Sequence, residues 1–235
     1  MNNQPPLAVV TGSNKGIGFE VVKQLAEEGY RVILTARDPA KGKLAWDSLR
    51  ATYPNVTFYP LDVTSSESIE AFRVHIENEF EAVDVLINNA GVALDKFVSA
   101  LDLDMEILRS TMDTNVYGAF AVTQALVPLI KKQGRGRIVM LSSMLGSLET
   151  MTGLTLAYRM SKTAINTLTR VLADELKDSD IAVNAVCPGW VKTDLGGDDA
   201  PVTPTEAATR VVELALLDKD FTTGGFYREG KPYPW

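Results

Sequence analysis

The sequence predicts an α/β protein built on one doubly wound, mostly parallel sheet of about seven strands with helices on both faces. Two observations predict it. Short β-branched runs alternate with longer segments of helical spacing, and several runs are apolar throughout, as in strands covered on both faces. Parallel strands need crossover connections, so this alternation favours a parallel sheet over an antiparallel one.

The elements follow from the same pattern. The predicted strands are residues 7–11, 31–35, 56–61, 83–87, 137–141 and 181–186, with a last edge strand at 225–229. The predicted helices are residues 17–28, 39–52, 66–80, 103–132, 157–177 and 204–217. In such a sheet ligands bind beyond the carboxyl ends of the strands, near the point where strand order reverses.

Length and composition limit the class of protein. The chain has 235 residues, and we expect residues 1–235 to form a single domain. A net charge of −7 argues against a nucleic-acid partner and, weakly, against an anionic membrane surface. The single cysteine, Cys187, cannot form an internal disulfide, which indicates a reducing compartment. The polar segment 1–6 carries no apolar signal, so we expect a cytoplasmic protein with no membrane association.

A glycine-rich turn follows the first predicted strand. The sequence TGSNKGIG occupies residues 11–18, and a predicted helix begins within it. Glycines let the backbone approach a pyrophosphate, and the helix N-terminus offers free N–H groups and a positive dipole end. The turn predicts a dinucleotide contact by Gly12, Asn14, Lys15, Gly16, Ile17 and Gly18. The alternative is a turn that only packs a helix on a strand.

The end of the second strand favours NADP(H) over NAD(H). An NAD site places a carboxylate there, whereas this chain has Arg37. Arg37 and Lys15 are suited to a 2′-phosphate, unless both are only solvated cations. Asp62 and Val63, after the third strand, are placed to meet the adenine, and Asp62 is equally suited to capping the next helix.

Tyr158 and Lys162 stand four residues apart on a predicted helix and so point the same way. An adjacent ammonium lowers the pKa of a phenol, which makes Tyr158 a candidate general acid. Taken alone this pair is weak, since such spacing arises by chance. Ser143 ends the fifth strand and can donate a hydrogen bond to a carbonyl oxygen, although a serine there is more often a turn residue. Asn115 lies inside a predicted helix, an unfavourable place without a partner for its amide.

With these motifs the chain resembles the short-chain dehydrogenases/reductases over nearly its whole length. The motifs occur in family order: TGSNKGIG (11–18), LDV (61–63), NNAG (88–91), Asn115, SS (142–143), YRMSK (158–162) and CPGWVKTD (187–194). The resemblance implies a Rossmann fold and a tetrad in which Tyr158 is the acid/base and Ser143 orients the substrate. Lys162 would bind the nicotinamide ribose and lower the tyrosine pKa, and Asn115 would hold a water. It further implies cofactor contacts by Asn89, Ala90, Gly91, Pro188, Gly189, Val191 and Thr193.

Within the family the chain is most similar to NADPH-dependent carbonyl reductases, through TGSNKGIG, LTARD (34–38) and the tail Tyr233-Pro234-Trp235. It lacks the long insert that vertebrate members carry between the serine and the tyrosine, with only 14 residues between Ser143 and Tyr158. The resemblance implies a homodimer or homotetramer.

The sequence therefore predicts NADPH-dependent reduction of a ketone, aldehyde or quinone, with a small apolar carbonyl compound as substrate. The expected substrate walls are residues 144–156, Trp190 and a lid at 195–203. Three alternatives stay open: an alcohol dehydrogenase, a redox sensor that binds NADP(H) without turnover, and a 3-ketoacyl carrier-protein reductase. The last would use a basic cluster at Lys131, Lys132, Arg135 and Arg137. With one cysteine and one histidine, no metal site is expected.

Overall fold

The central sheet has eight strands in the computed structural model, which describes residues 4–217 and 223–235. In chain order they are β1 (Leu7–Val10), β2 (Arg31–Ala36), β3 (Val56–Pro60), β4 (Val85–Asn88), β5 (Arg135–Leu141), β6 (Asp180–Cys187), β7 (Phe226–Arg228) and β8 (Lys231–Pro232). Their order across the sheet is β3-β2-β1-β4-β5-β6-β7-β8. All neighbouring pairs are parallel except β7 and β8. The predicted fold class is confirmed.

Helices cover both faces of this sheet. They are α1 (Gly16–Glu27), α2 (Pro39–Leu49), α3 (Ser66–Glu79), α4 (Met105–Met112), α5 (Ala119–Lys132), α6 (Leu156–Glu175) and α7 (Pro204–Ala215). Two buried clusters result, because successive residues of a strand point to opposite faces. Leu7 and Val9 of β1 pack towards α3, α5 and α6, whereas Ala8 and Val10 pack towards α1, α2 and α7.

Local sequence explains where several helices begin. Asp38, Ser65 and Asp104 each accept a backbone N–H in the first turn of the helix that follows. Thr203 and Glu206 form a reciprocal capping box at the start of α7. The predicted beginnings of these helices are therefore close to the observed ones. The alternative role of Asp62 as the cap of α3 is wrong, because Ser65 caps α3 while the Asp62 carboxylate accepts from Thr64.

The prediction of one continuous helix over residues 103–132 is also wrong. A π-helical turn, Asp113–Gly118, separates α4 from α5. Such a turn accommodates one extra residue, which changes the direction in which the following side chains point. Here Asn115 is turned into the interior, where it is 1% exposed. The regular α-helical hydrogen bonds are interrupted at this turn, and the Asn115 amide is buried beside the end of β4.

The carboxyl-terminal segment forms one strand more than predicted. The expected edge strand at 225–229 is β7, and β8 pairs with it in an antiparallel hairpin. The polar segment 1–6 can be followed only from residue 4, since residues 1–3 lie outside the described part, as do 218–222. None of the helices described is long and apolar enough to cross a membrane.

Candidate functional site

The sequence motifs meet at one edge of the sheet, where β1, β4, β5 and β6 end. This edge is where the strand order reverses, because the chain passes from β1 outward to β3 and then returns to β4 on the other side. Ligands of doubly wound sheets bind at such a point. The fold therefore brings the glycine-rich turn, the segment after β4 and the serines after β5 into one cleft.

The glycine-rich turn is fixed by the segment that follows β4. Gly12 has a φ of +60°, and a Cβ on it would lie 2.9 Å from the Ala90 Cα. The Asn89 amide donates to the carbonyl oxygens of Thr11 and Gly12 at 2.8 and 2.9 Å. Gly18 is similarly confined, since its Cβ would lie 2.4 Å from the Asn89 amide nitrogen. Asn89 was predicted as a cofactor contact, and its amide donates to the turn that would hold the phosphates.

The N-terminus of α1 fits a phosphate group. Lys15 occupies the N-cap position in an extended conformation, and its side chain does not cap the helix. The first N–H groups of α1 consequently lack a side-chain acceptor, which phosphate oxygens would supply. Gly16, also at a φ of +60°, faces Thr193 across the cleft, with its would-be Cβ 3.3 Å from the threonine methyl.

The two cations predicted to bind a 2′-phosphate differ in their surroundings. Arg37 is exposed at the end of β2, and no described residue makes an ion pair or hydrogen bond with its side chain. Lys15 instead pairs with Asp194 at 2.5 Å, with both side chains largely exposed. This pair joins the glycine-rich turn to the segment after β6. The Arg37 side chain can bind an anion directly. Lys15 would first have to leave its ion pair with Asp194.

Asn115 uses its whole amide to hold the backbone after β4. Its oxygen accepts from the Val92 N–H at 2.8 Å, and its nitrogen donates to the Val92 carbonyl at 2.9 Å and to Ser161 Oγ at 3.0 Å. Gly91 lies between Asn115 and Lys162, as its would-be Cβ is 3.3 Å from the Asn115 oxygen and 3.7 Å from Lys162 Nζ. The water predicted for Asn115 stays a prediction.

Tyr158, Lys162 and Ser143 come together at the floor of the cleft. Lys162 Nζ lies 5.4 Å from the centre of the Tyr158 ring and donates to the Leu141 carbonyl at 2.7 Å. Burial lowers the pKa of Lys162 to about 8, an effect that the Cys187 sulfur opposes. Part of Tyr158 is open to the cleft, but burial of its hydroxyl end raises its pKa. Cys187 adds to that rise, and a hydrogen bond with Ser143 opposes it.

The two serines after β5 have different roles. Ser142 is buried and donates to Asn166 Oδ1 at 2.6 Å, which fastens β5 to α6. Ser143 faces the cleft, where its oxygen also accepts from the Leu145 N–H. Gly146 follows on a short 3₁₀ turn, and a Cβ there would lie 2.6 Å from the Lys162 backbone. This close approach sets the distance between Ser143 and the helix that carries Tyr158.

The segment after β6 closes the far side of the cleft. Pro188 is buried, and its carbonyl accepts from Arg210 of α7 at 2.7 Å. Val191 is 4% exposed and bridges to Val202. Thr193 Oγ1 accepts from the Gly196 N–H at 3.2 Å, which defines a turn rather than an open loop. Of these residues, Gly189 and Thr193 retain accessible surface towards the cleft.

The rim of the cleft is apolar and accessible. The large exposed side chains of the predicted walls are Met144, Leu148, Met151, Leu154, Trp190 and Leu195. Leu94 and Phe97, which the sequence did not single out, are exposed nearby in the segment that follows β4. Arg159 orders part of this rim, since its guanidinium donates to the Leu154 carbonyl and to Thr152 Oγ1 at 2.9 and 2.8 Å.

Cys187 and Asp95 are two residues of the site that the sequence did not reveal. Cys187 begins the CPGWVKTD motif and had no predicted role, but its sulfur accepts from the Met144 N–H at 3.2 Å and affects the pKa of both Tyr158 and Lys162. Asp95 accepts N–H groups at the start of α6. Both contacts join residues more than 40 positions apart, so no local pattern could indicate them. The described residues include no cluster of His, Cys, Asp and Glu that could hold a metal ion.

A doubly wound sheet with a glycine-rich phosphate turn and a tyrosine–lysine pair beside it defines a class, the dinucleotide-dependent oxidoreductases. The family described as short chain dehydrogenase matches residues 6–201. Carbonyl reductase [NADPH] 1 of Mus musculus is 33% identical over 282 positions that cover 100% of both chains. The human protein of that name is 33% identical, with 97% of this chain and 98% of its own covered. The mouse alignment is longer than this chain's 235 residues, so that relative has segments that this chain lacks.

Solved structures agree with these sequence matches. An NADPH-bound carbonyl reductase from chicken fatty liver superposes with a TM-score of 0.88 at 30% identity, covering 99% of this chain and 100% of its own. Salutaridine reductase from Papaver somniferum gives a TM-score of 0.85 at 31% identity, over 94% and 99% of the two chains. The chain therefore belongs to the short-chain dehydrogenase family.

Proposed function

We propose that the protein reduces the carbonyl group of a small apolar ketone, aldehyde or quinone with NADPH, and that Tyr158 donates the proton. The chain is an NADP-dependent oxidoreductase, as its full-length matches to NADPH-dependent carbonyl reductases indicate. The observation that carries the finer proposal is the convergence of Ser143, Tyr158 and Lys162 on an accessible, apolar-rimmed cleft. We further propose that the protein works in the cytoplasm as a homodimer or homotetramer, by analogy with its family.

Each residue of the cleft has a chemical task in this proposal. When bound, NADPH supplies a hydride to the carbonyl carbon. Ser143 donates a hydrogen bond to the carbonyl oxygen, where negative charge develops during reduction. Tyr158 transfers its proton to that oxygen and becomes a phenolate. Lys162, as an ammonium beside the ring, stabilises the phenolate that remains.

The cofactor would be held by the backbone and side chains described above. The uncapped start of α1, residues 15–18, would meet the phosphates, and Arg37 would meet the 2′-phosphate. Asp62 and Val63 would line the adenine, and Ala90 and Gly91 the centre of the cofactor. Gly189 and Thr193 would lie near the carboxamide end, with Pro188 and Val191 shaping the backbone behind them.

The structure gives the carrier-protein alternative no particular support. Arg135 and Arg137 lie at the amino end of β5, roughly 20 Å along the strand from the serines at its carboxyl end. Arg137 is buried, and Lys132 pairs with Glu77 at 3.0 Å. These cations are therefore neither a free cluster nor placed at the mouth of the cleft.

The proposal is tested by measuring NADPH oxidation with a panel of ketones, aldehydes, quinones and a 3-ketoacyl thioester, with NADH in parallel. We expect turnover of apolar carbonyl compounds with NADPH, and a kcat about 10²- to 10³-fold lower in Ser143→Ala. Ser48→Ala, which alters an exposed serine of α2, is the matched control and should retain the wild-type kcat. Tight NADPH binding without turnover of any panel member would favour the sensor alternative, and preference for the thioester would favour the carrier-protein reductase.

A further inference from the structure

Asp95 is a buried charge in the segment after β4. Its side chain is 0% exposed, and no described residue forms an ion pair with it. A carboxylate is costly to bury unless its oxygens accept hydrogen bonds. Asp95 Oδ2 accepts from the Ala157 N–H at 2.6 Å, and Oδ1 accepts from the Tyr158 N–H at 3.3 Å. Both donors belong to the first turn of α6.

Helix α6 depends on this carboxylate because it has no cap of its own. The residue at its N-cap position is Thr155, whose side chain does not bond to the helix. Thr155 has a φ of +56°, a conformation that a β-branched residue adopts only when its surroundings enforce it. A negative charge at a helix N-terminus is stabilised by the free N–H groups and by the helix dipole. Asp95 thus performs from 62 residues away the role that a local Asp or Ser performs elsewhere.

Two more hydrogen bonds join the same segments. The Thr155 N–H donates to the Val98 carbonyl at 3.0 Å, and the Phe97 N–H donates to Thr155 Oγ1 at 3.2 Å. Residues 95–98 are therefore hydrogen-bonded to the start of α6 along most of their length. The same segment begins at the NNAG motif, which fixes the glycine-rich turn. A single stretch of chain thereby links the cofactor side of the cleft to Tyr158.

We propose that Asp95 is a positioning residue for carbonyl reduction, which holds the Tyr158 backbone and so fixes the phenol relative to the cofactor side of the cleft. This inference rests on the proposed function. It assigns Asp95 no contact with substrate or cofactor. A displacement of about 1 Å in a reacting group can cost about 100-fold in rate, so loss of this anchor acts on the chemical step.

The test compares Asp95→Asn and Asp95→Ala with Asp104→Asn and Asp104→Ala. Asp104 is the matched control because it caps α4 through the Glu106 N–H at 2.8 Å and is exposed. For each variant we would measure NADPH affinity, kcat with ordinary NADPH and with NADPH deuterated at the transferred position, and amide hydrogen exchange of residues 156–160. Asn keeps the shape and one acceptor oxygen, which guards against a failure of the Ala variant to fold.

We expect kcat to fall about 10- to 100-fold in Asp95→Ala and less in Asp95→Asn, with NADPH affinity unchanged within about twofold. The deuterium isotope effect should rise, because hydride and proton transfer become slower than product release, and exchange at 156–160 should accelerate. The Asp104 variants should keep the wild-type kcat and isotope effect.

An Asp95→Asn variant with wild-type kcat and isotope effect per NADPH-binding site would overturn the proposal and leave Asp95 a stabilising residue only. Unaltered exchange at 156–160 would overturn it as well, independently of any activity. If the wild-type protein itself reduced no carbonyl compound, the proposed function would be wrong. The proposed role of Asp95 in that reaction would then be wrong as well.

Discussion

Lys162 has to remain charged in surroundings that disfavour charge. It is 6% exposed, and burial brings its pKa from 10.5 to about 8. The proposed mechanism needs the ammonium form, since only a cation stabilises the Tyr158 phenolate. The phenol itself keeps its proton at neutral pH, since burial moves its pKa further above an ordinary value that is already well above neutrality. In the free enzyme the group that limits activity on the alkaline side is therefore Lys162.

Activity should decline as pH rises through about 8. Since kcat/KM for NADPH reports the pKa values of the free enzyme, it should fall where Lys162 loses its proton. Lys162→Arg is the control, because a guanidinium stays charged throughout this range. Its kcat/KM is expected to be lower overall but flat across the same interval, and an identical decline in both proteins would show that another group titrates.

Arg37 should determine the preference for NADPH over NADH. Charge-assisted hydrogen bonds contribute about 1.5–3 kcal/mol, so Arg37→Ala should weaken NADPH binding by about 10- to 100-fold. NADH, which lacks the 2′-phosphate, should bind as before. Lys41→Ala, an exposed cation on the adjoining α2, is the control and should alter neither affinity. Titrations by nucleotide fluorescence give both constants, and an equal loss for NADH would contradict the assignment.

At the scale of single residues, Ser143, Tyr158 and Lys162 were candidates from a strand end and a four-residue spacing, and the ordered family motifs around them made the prediction specific. The partners of Asn115 could not be predicted, since its amide bonds to residues 23 and 46 positions away. Asp95 and Cys187 were missed for the same reason. Their roles arise from contacts between distant segments, which neither the CPGWVKTD motif that begins at Cys187 nor the residues around Asp95 could indicate.

At the scale of elements, most helix starts were predicted to within about two residues, including those of α1 and α6, which have no local cap, and the break between α4 and α5 was missed. The π-helical turn Asp113–Gly118 leaves the hydrophobic spacing on both sides intact, so the periodicity suggests one helix. Tertiary contacts enforce the turn. A Cβ on Gly118 would lie 2.7 Å from the Val63 carbonyl oxygen. The helix can therefore approach the segment after β3 this closely only because residue 118 is a glycine.

The tail after β8 should hold the substrate wall in place. The Trp235 ring stacks on Phe226 at 5.5 Å and lies under Arg170 at 5.7 Å. Its carbonyl oxygen accepts from the Leu148 N–H at 2.9 Å and from Ser147 Oγ at 3.1 Å. Trp235→Ala should raise KM for the carbonyl substrate, because stacking and cation–π contacts of about 1 kcal/mol each no longer hold the tail against the substrate wall.

Steady-state kinetics at saturating NADPH would measure this change. The affinity for NADPH should remain that of the wild type, and Trp235→Phe, which can still stack on Phe226, should recover most of the substrate KM. A lower kcat at unaltered KM in Trp235→Ala would mean that the tail acts on the chemistry rather than on substrate binding.

At the scale of the whole molecule, the alternation of strand and helix was enough to predict the sheet and both of its covered faces. The eighth strand was not predicted, because Lys231–Pro232 is too short to show a pattern and exists only through its pairing with β7. We propose that the chain is a single domain, in which the clusters on the two faces share every central strand.

Denaturant unfolding should accordingly be one cooperative transition. Trp46 lies near β3, while Trp235 packs on β7 at the other end of the sheet, so fluorescence reports on distant parts. Fluorescence and far-ultraviolet circular dichroism should give coincident curves. NADPH at about 100 times its dissociation constant should raise the free energy of unfolding of the whole chain by about 2.7 kcal/mol. Two separate transitions, with only one displaced by NADPH, would contradict a single domain.

The most direct test of the account is the kcat of Tyr158→Phe with the best carbonyl substrate, at an NADPH concentration that saturates both proteins. The account predicts a decrease of about 10²- to 10⁴-fold with unchanged NADPH affinity, because only the proton donor is lost. Tyr117→Phe, an exposed tyrosine of the π-helical turn, should keep the wild-type kcat. A Tyr158→Phe enzyme that reduces its substrate at the wild-type rate would show that the proton comes from another group.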